Sequence, residues 1–342
     1  MRKIIKFSIL LIPIFLITIM IINITKTERV TSFIENEDNH LYINFVDKEL
    51  NQIFYQYDLN KKINKILLKE KISEYPTATY SKSKNEVFFT YKSKNKTAQA
   101  FKKNLNNNQT TQLTNEFSHV DFLELDEEEQ LLFMRVLMYE GDRNFQLSIL
   151  DLKDQEAYKW DNTDEDISVH LMDYNPNNKQ ILLVTNSVKK EYEKITQANK
   201  KGISPDPPVY TLSIYNTDGQ KVKDITTINS FLTGASLSSD GKDVLISYFN
   251  NQEELTSNIA TIDIATQKVT LLLKDSKIGM KEPEYNKNKS GFYYLADQNK
   301  GIMLSDENPN KVTLNFYDIV TKKNFEVWSQ ENGEIVNFFV EK

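Results

Sequence analysis

The sequence predicts an all-β fold, a six-bladed β-propeller of four-stranded antiparallel blades, preceded by one N-terminal transmembrane helix. Three observations carry that reading. A hydrophobic strand, a polar turn of the Asp-Leu-x-x-x kind and a second strand recur as one phrase six times, at 55–68 (YQYDLNKKINKILL), 98–113 (AQAFKKNLNNNQTTQL), 145–160 (FQLSILDLKDQEAYKW), 210–225 (YTLSIYNTDGQKVKDI), 258–273 (NIATIDIATQKVTLLL) and 312–328 (VTLNFYDIVTKKNFEVW). Self-similarity at a period of about 40–50 residues marks a repeat architecture, and repeats of that length made only of strands point to propeller blades. Six further hairpins lie between the phrases, and the chain begins with a single apolar run.

That run comes first. Arg2, Lys3 and Lys6 precede an apolar stretch over 7–22, broken only by Ser8, Pro13 and Thr18. Residues 4–25 as a helix would measure roughly 33 Å, enough to cross a ~30 Å hydrocarbon core with Lys6 snorkelling to the interface. Signal peptidase needs small residues after the apolar core, yet no Ala precedes Ala78 and no Gly precedes Gly141. An uncleaved signal anchor is therefore expected, with residues 1–29 as cytoplasmic tip, anchor and linker and residues 30–342 as the propeller. The basic residues at the start place the C-terminal part outside the membrane. Cleavage near Thr27 or Ser32, giving a secreted protein, is the alternative.

The blades follow. Each six-fold phrase is the second hairpin of a blade, and the first hairpins are read at 33–45, 78–91, 122–133, 171–184, 235–249 and 284–295, in which apolar and polar side chains largely alternate as half-buried strands require. The chain has 17 Tyr and 19 Phe against 9 Gly and 8 Pro, which suits strands and argues against disorder. Asp58, Asn104, Asp151, Asn216, Asp263 and Asp318 fall at equivalent turn positions, separated by 46, 47, 65, 47 and 55 residues. Two blades thus carry insertions, at 187–209 and around 297–311, both between their second and third strands. A meander alternates faces, so both insertions share one rim with the blade-to-blade connections. The leftover strand at 334–341 (EIVNFFVE) would close the ring by pairing with the first blade, a place for which residues 30–34 compete.

The hairpin at 237–249 (LSSDGKDVLISYF) resembles the "S-P-D-G-x-x-[IL]-x-[FY]" hairpin of TolB-like repeats, found also in the propellers of the dipeptidyl peptidase IV and prolyl oligopeptidase group. The stretch 174–184 (YNPNNKQILLV) is a looser match. The resemblance implies six blades and names a fold rather than an activity. No α/β-hydrolase domain follows the repeats, unlike in the peptidases. Usage rich in Lys, Asn and Ile without cysteine resembles that of exported proteins of low-GC Gram-positive bacteria.

No local motif carries chemistry. The segment 234–238 (GASLS) lacks the final Gly of a hydrolase elbow and lies in a strand-turn-strand context. His40, His119 and His170 fall in three blades without metal spacing, and the acidic run 126–129 reads as a solvated turn. Asp161, Asp164 and Asp166 cluster oxygens on the insertion rim and form a candidate Ca²⁺ site, although without the spacing of an EF-hand loop. Cofactors are otherwise not expected. The insertion over 188–202 (VKKEYEKITQANKKG) can form a short helix that SPDPPV cannot continue, and at this length it reads as a mobile surface loop. Its Lys189, Lys190, Tyr192, Lys194, Lys200 and Lys201 are the candidate ligand or partner face.

The net charge of -6 and the lack of a basic stripe exclude nucleic acid as a partner. The chain reads as a monomeric, membrane-tethered extracytoplasmic propeller, a non-enzymatic binding or scaffold module for a protein or cell-wall ligand. The alternative is a propeller hydrolase or lyase whose carboxylates converge on the central channel. Two or more acids or histidines meeting there would favour it.

Overall fold

A computed structural model describes residues 40–95, 97–159, 166–250, 256–298 and 312–341. The expected anchor over 4–25 and the competing strand at 30–34 lie outside them, and no helix among the described residues is long and apolar enough to cross a membrane.

The repeats form six antiparallel four-stranded sheets. Blade 1 contains β1 (His40–Asp47), β2 (Asn51–Asp58) and β3 (Ile63–Lys71). Blade 2 runs from β4 (Ala78–Ser81) through β5 (Glu86–Lys92) and β6 (Ala98–Asn104) to β7 (Thr110–Gln112). Blade 3 has β8 (His119–Leu125), β9 (Leu131–Leu137), β10 (Gln146–Asp151) and β11 (Glu156–Lys159), and blade 4 has β12 (Ile167–Asn175), β13 (Gln180–Ser187), β14 (Val209–Asn216) and β15 (Lys221–Asn229). Blade 5 comprises β16 (Phe231–Leu237), β17 (Asp243–Phe249), β18 (Ser257–Asp263) and β19 (Val269–Asp275). Blade 6 comprises β20 (Gly279–Tyr285), β21 (Gly291–Asp297), β22 (Val312–Asp318) and β23 (Lys323–Trp328).

The inner place in blade 1 is taken by the last strand, β24 (Gly333–Val340), which pairs with β1 from Leu41↔Val340 to Asp47↔Gly333. The first hairpin expected over 33–45 is thus corrected: β1 is a second strand, and its inner partner comes from the other end of the chain. Beyond β24, Glu341 meets His40 at 2.9 Å and Lys82 of blade 2 at 2.9 Å. Both termini of the ring therefore lie together on the rim away from the 187–209 insertion.

The turns explain why so few glycines suffice. Asp58, Asp151 and Asp263 each end a third strand and accept backbone N–H groups two and three residues on, at 2.7–3.1 Å. Four residues past each Asp, the left-handed conformation that closes the turn falls to Lys62, Gln155 and Gln267 (φ 56–60°). Asx-type bonds hold the reversal in place, so a non-glycine residue is tolerated there.

The core is circumferential. Six apolar clusters are each shared between two neighbouring blades. Leu41, Ile43 and Phe45 of blade 1 pack on Leu295, Leu314 and Phe316 of blade 6, while Phe54 of blade 1 packs on Val87 and Phe89 of blade 2. The remaining four clusters complete the circle through blades 2–3, 3–4, 4–5 and 5–6.

Candidate functional site

Two features stand on the rim and axis of the ring. The first is the insertion of blade 4. Val188–Lys201 forms α1, whose Lys190 N–H is met by the hydroxyl of Ser187, the N-cap, and whose C-terminus is closed by Gly202 in the left-handed conformation. The expected helix is present, and it is fastened to its blade at several points. Asp166 accepts from the Ser187 hydroxyl at 2.5 Å and from Lys189 N at 2.6 Å, and these bonds hold its carboxyl below the usual range. The Arg143 guanidinium stacks 5.2 Å over the Tyr192 ring and also donates to its hydroxyl.

Lys194 donates to Pro207 O and pairs with Glu191 at 3.7 Å, so it fastens the helix to the loop that follows. Lys189, Lys190, Lys200 and Lys201 remain exposed, with Tyr192 (39% exposed) and Ile195 (43%) between them. Of the candidate Ca²⁺ ligands, Asp161 and Asp164 lie outside the described residues, while Asp166 serves as an anchor for α1. No group of three His, Asp or Glu side chains at metal spacing occurs among the described residues. Ser187→Ala is expected to cost about 0.5–2 kcal/mol of local helix stability. Faster amide exchange confined to α1, at unchanged melting temperature, is the measurement that checks it.

The second feature is the channel, a cavity of about 340 Å³ walled by the inner strands and by Tyr75 and Pro76 of the β3–β4 connection. It continues past Glu124, Glu284 and Phe339 into a second cavity at the rim of the termini. Asp121 and Glu124 of β8, Asp173 of β12 and Glu282 and Glu284 of β20 line it, against the single guanidinium of Arg135. The convergence of acids that the alternative reading requires is therefore present.

Most of these acids have a structural task. An inner strand is a sheet edge, and its outward N–H groups need acceptors. Glu124 accepts from Tyr174 N of the next blade at 3.2 Å, Asp173 from Leu237 N at 2.7 Å, and Glu284 from Val340 N at 3.1 Å. Each carboxylate thus staples one inner strand to its neighbour. Between blades 5 and 6 the equivalent position is a donor in place of the acid: the Ser236 hydroxyl donates to Pro283 O at 2.8 Å. Asp121 is clamped by Arg135 at 2.8 and 2.7 Å. Asp173→Ala would orphan the Leu237 N–H and remove a charge-assisted bond, an expected loss of about 1.5–3 kcal/mol in urea unfolding.

Glu282 differs. Its backbone is left-handed (φ 52°) at a bulge in the β20–β21 pairing, and no hydrogen bond to its carboxylate occurs among the described residues. Burial pushes its carboxyl up to about 7; neighbouring Lys281 opposes the shift and Glu284 adds to it. Strained backbone and perturbed acids concentrate at functional sites, which makes Glu282 a candidate site residue.

The histidines stay apart from this acid. His170 is stacked on Tyr210 (4.6 Å) and bonded at 3.2 Å to Leu232 O, and burial lowers its pKa. His119 is buried at the start of β8, with its pKa likewise lowered by burial. The acidic turn is solvated at Glu127 and Glu128 but not at its ends. Asp126 is buried and accepts from Gln130 N and Leu131 N at 2.7 Å. Glu129 reaches across to blade 2, accepting from the Ser81 hydroxyl at 2.5 Å and Lys82 N at 2.9 Å.

No protein-family profile matches the sequence. The chain is similar to the uncharacterized protein YdjN of Bacillus subtilis (strain 168), 26% identical over 313 residues that cover 88% of this chain and 87% of that protein. Among solved structures, TolB from Acinetobacter baumannii superposes with a TM-score of 0.58 at 13% identity, covering 87% of this chain. The match spans 65% of that TolB, less than two thirds of its length. A putative TolB from Agrobacterium tumefaciens gives 0.58 at 9% identity, covering 86% of this chain and 91% of that one. An oligogalacturonate lyase in complex with manganese gives 0.54 at 12% identity, covering 86% and 74%. With six closed blades and no catalytic domain among its described residues, the chain has the TolB-like six-bladed β-propeller fold.

Proposed function

We propose that the protein is a membrane-tethered, extracytoplasmic binding propeller that recognises a protein or cell-envelope polymer through the rim bearing α1. The observation that carries this reading is α1 itself. It is capped at both ends and fastened by Asp166, Arg143 and Lys194, yet it presents Tyr192, Ile195 and four lysines to solvent. Pre-ordering of an exposed aromatic and basic surface lowers the entropic cost of binding, which is what a recognition element gains from such fastening. The stapling of three channel acids supports the same reading, since their carboxylates serve the ring.

The test is photocrosslinking from α1 on intact cells, compared with a chain in which 188–207 is replaced by a short Gly-Ser linker. Loss of the crosslinked neighbour at unchanged melting temperature is expected. A partner still captured by the shortened chain would remove α1 as the recognition element. The reading as a hydrolase or lyase is favoured by the convergence of acids on the channel and by Glu282, whose pKa lies near that of a general acid or base. The channel's electrostatics speak against the polyanionic substrate named for the lyase neighbour, because five carboxylates face one guanidinium.

A further inference from the structure

Each acid of the channel except Glu282 has a hydrogen-bonding partner inside the ring. Glu282 is kept in place by unusual means. Its bulge is pressed onto Gly234 of β16, where a Cβ would come within 2.6 Å of Glu282 Cα and N and 2.7 Å of Pro283 Cδ. Only a residue without a side chain admits that approach. Two backbone concessions, a left-handed glutamate and a glycine facing it, thus serve to set one carboxylate on the wall of a cavity. The charged groups around it are Lys281 and Glu284 on its own strand, Asp121, Glu124 and Asp173 from β8 and β12, and Arg135, already engaged by Asp121. Lys281 itself leans away, 3.7 Å from Glu334 of β24.

Much of the rest of the wall is apolar. The Phe122 and Phe339 rings, from blades that are not neighbours, approach to 6.2 Å across the channel, and Leu171, Met172 and Phe338 also line it. Unneutralised negative charge in such a recess is costly unless a cation joins it. We propose that Glu282 is a ligand-contacting acid and that the channel takes an alkylammonium or alkylguanidinium group, its stem against the aromatic wall and its head on the Glu282 carboxylate. Lysine and arginine side chains have this amphipathic build, and so do free alkylamines. The site lies away from α1 and does not depend on the rim reading.

The group binds a cation only when ionised. With its carboxyl at about 7, affinity is full above that pH and is lost as the pH falls through it, about 30-fold between about pH 8 and about pH 5.5. Calorimetry on the full chain in detergent, with n-butylamine, n-butylguanidine and a pentapeptide carrying one lysine, reads this directly. A norleucine pentapeptide is the neutral control. Binding by the cationic probes with that pH profile, abolished in Glu282→Gln and retained in the chain lacking α1, is the expected result. A peptide at least about tenfold tighter than butylamine would make a polypeptide the source of the group, and equal affinities a small amine.

A second readout guards against a silent variant. A folded-state pKa above the unfolded one penalises the fold above the ordinary carboxyl range, with the penalty complete above about 7. Glu282→Gln should therefore melt higher than the parent at about pH 8, with the difference closing towards about pH 4, and a saturating cationic probe should raise the parent alone. Three results overturn the proposal: no cationic probe binds, the norleucine peptide binds equally well, or Glu282→Gln leaves affinity and pH profile unchanged.

Discussion

A chain truncated after Asn332 loses cooperative folding. Without β24 the seven-residue pairing with β1 is gone, and blade 1 is left with three strands and an inner edge bare to the channel. Ile335, Phe338 and Val340 are 1–6% exposed, and burying three such side chains is worth about 5–8 kcal/mol in transfer alone. They also cover Leu41, Ile43 and Phe45, which belong to the same cluster as the blade 6 residues Leu295 and Leu314. Since a domain's whole stability is of order 5–15 kcal/mol, this one strand outweighs what the remaining ring can spare. Circular dichroism under urea should show a broad, shallow transition in place of a single steep one. A truncated chain that melts within a few degrees of the parent would mean that the ring is not latched by β24.

Gly234→Val is the point substitution with the largest expected cost. The atoms its side chain would meet are backbone atoms of Glu282 and the ring of Pro283, none of which can swing aside as a flexible side chain does. Relief requires β16 and β20 to part, and that separation also breaks the Ser236–Pro283 bond. Overpacking against backbone costs about 2–4 kcal/mol, which for a ring this size corresponds to a drop of roughly 3–6 °C in melting temperature. Gly202→Ala is the control. Unlike Gly234, Gly202 is left-handed (φ 65°) but open to space, so its cost should stay near 1 kcal/mol and within α1. Equal losses from the two substitutions would refute the close approach of blades 5 and 6.

The blades were legible because their turns repeat a side-chain chemistry. Asp58, Asp151 and Asp263 hold their reversals through Asx-type bonds, and such residues stay visible in one sequence even where strands diverge. The family hairpin was plain only in blade 5 for a related reason. There the left-handed turn position is Gly241, whereas Asn85, Glu129, Lys179 and Lys289 fill it in blades 2, 3, 4 and 6. In blade 1 the closing strand was legible as a leftover, because 334–341 has no hairpin partner of its own and pairs with β1 as expected, whereas the apolar residues before His40 imitate an inner strand whose place β24 fills.

The channel acids were illegible for a different reason. Glu124, Asp173, Ser236 and Glu284 act on the next blade, across 47–64 residues of sequence, so no spacing within one blade betrays them. The strand rule of alternate faces fails at Glu282, where the bulge shifts the register between Lys281 and Glu284. Position in a repeat can be read from one chain; what a side chain finds across an axis of the ring cannot.

Where the chain joins the ring decides which side can be reached by large reagents. His40 and Glu341 touch on one rim while α1 projects from the other. On the proposed membrane-tethered topology the rim of His40 and Glu341 faces the membrane, so a bulky fluorescent protein appended beyond Glu341 would be crowded there. On that same topology a small epitope spliced near Gly202 faces away from the membrane, where antibodies or proteases added to whole cells should find it first.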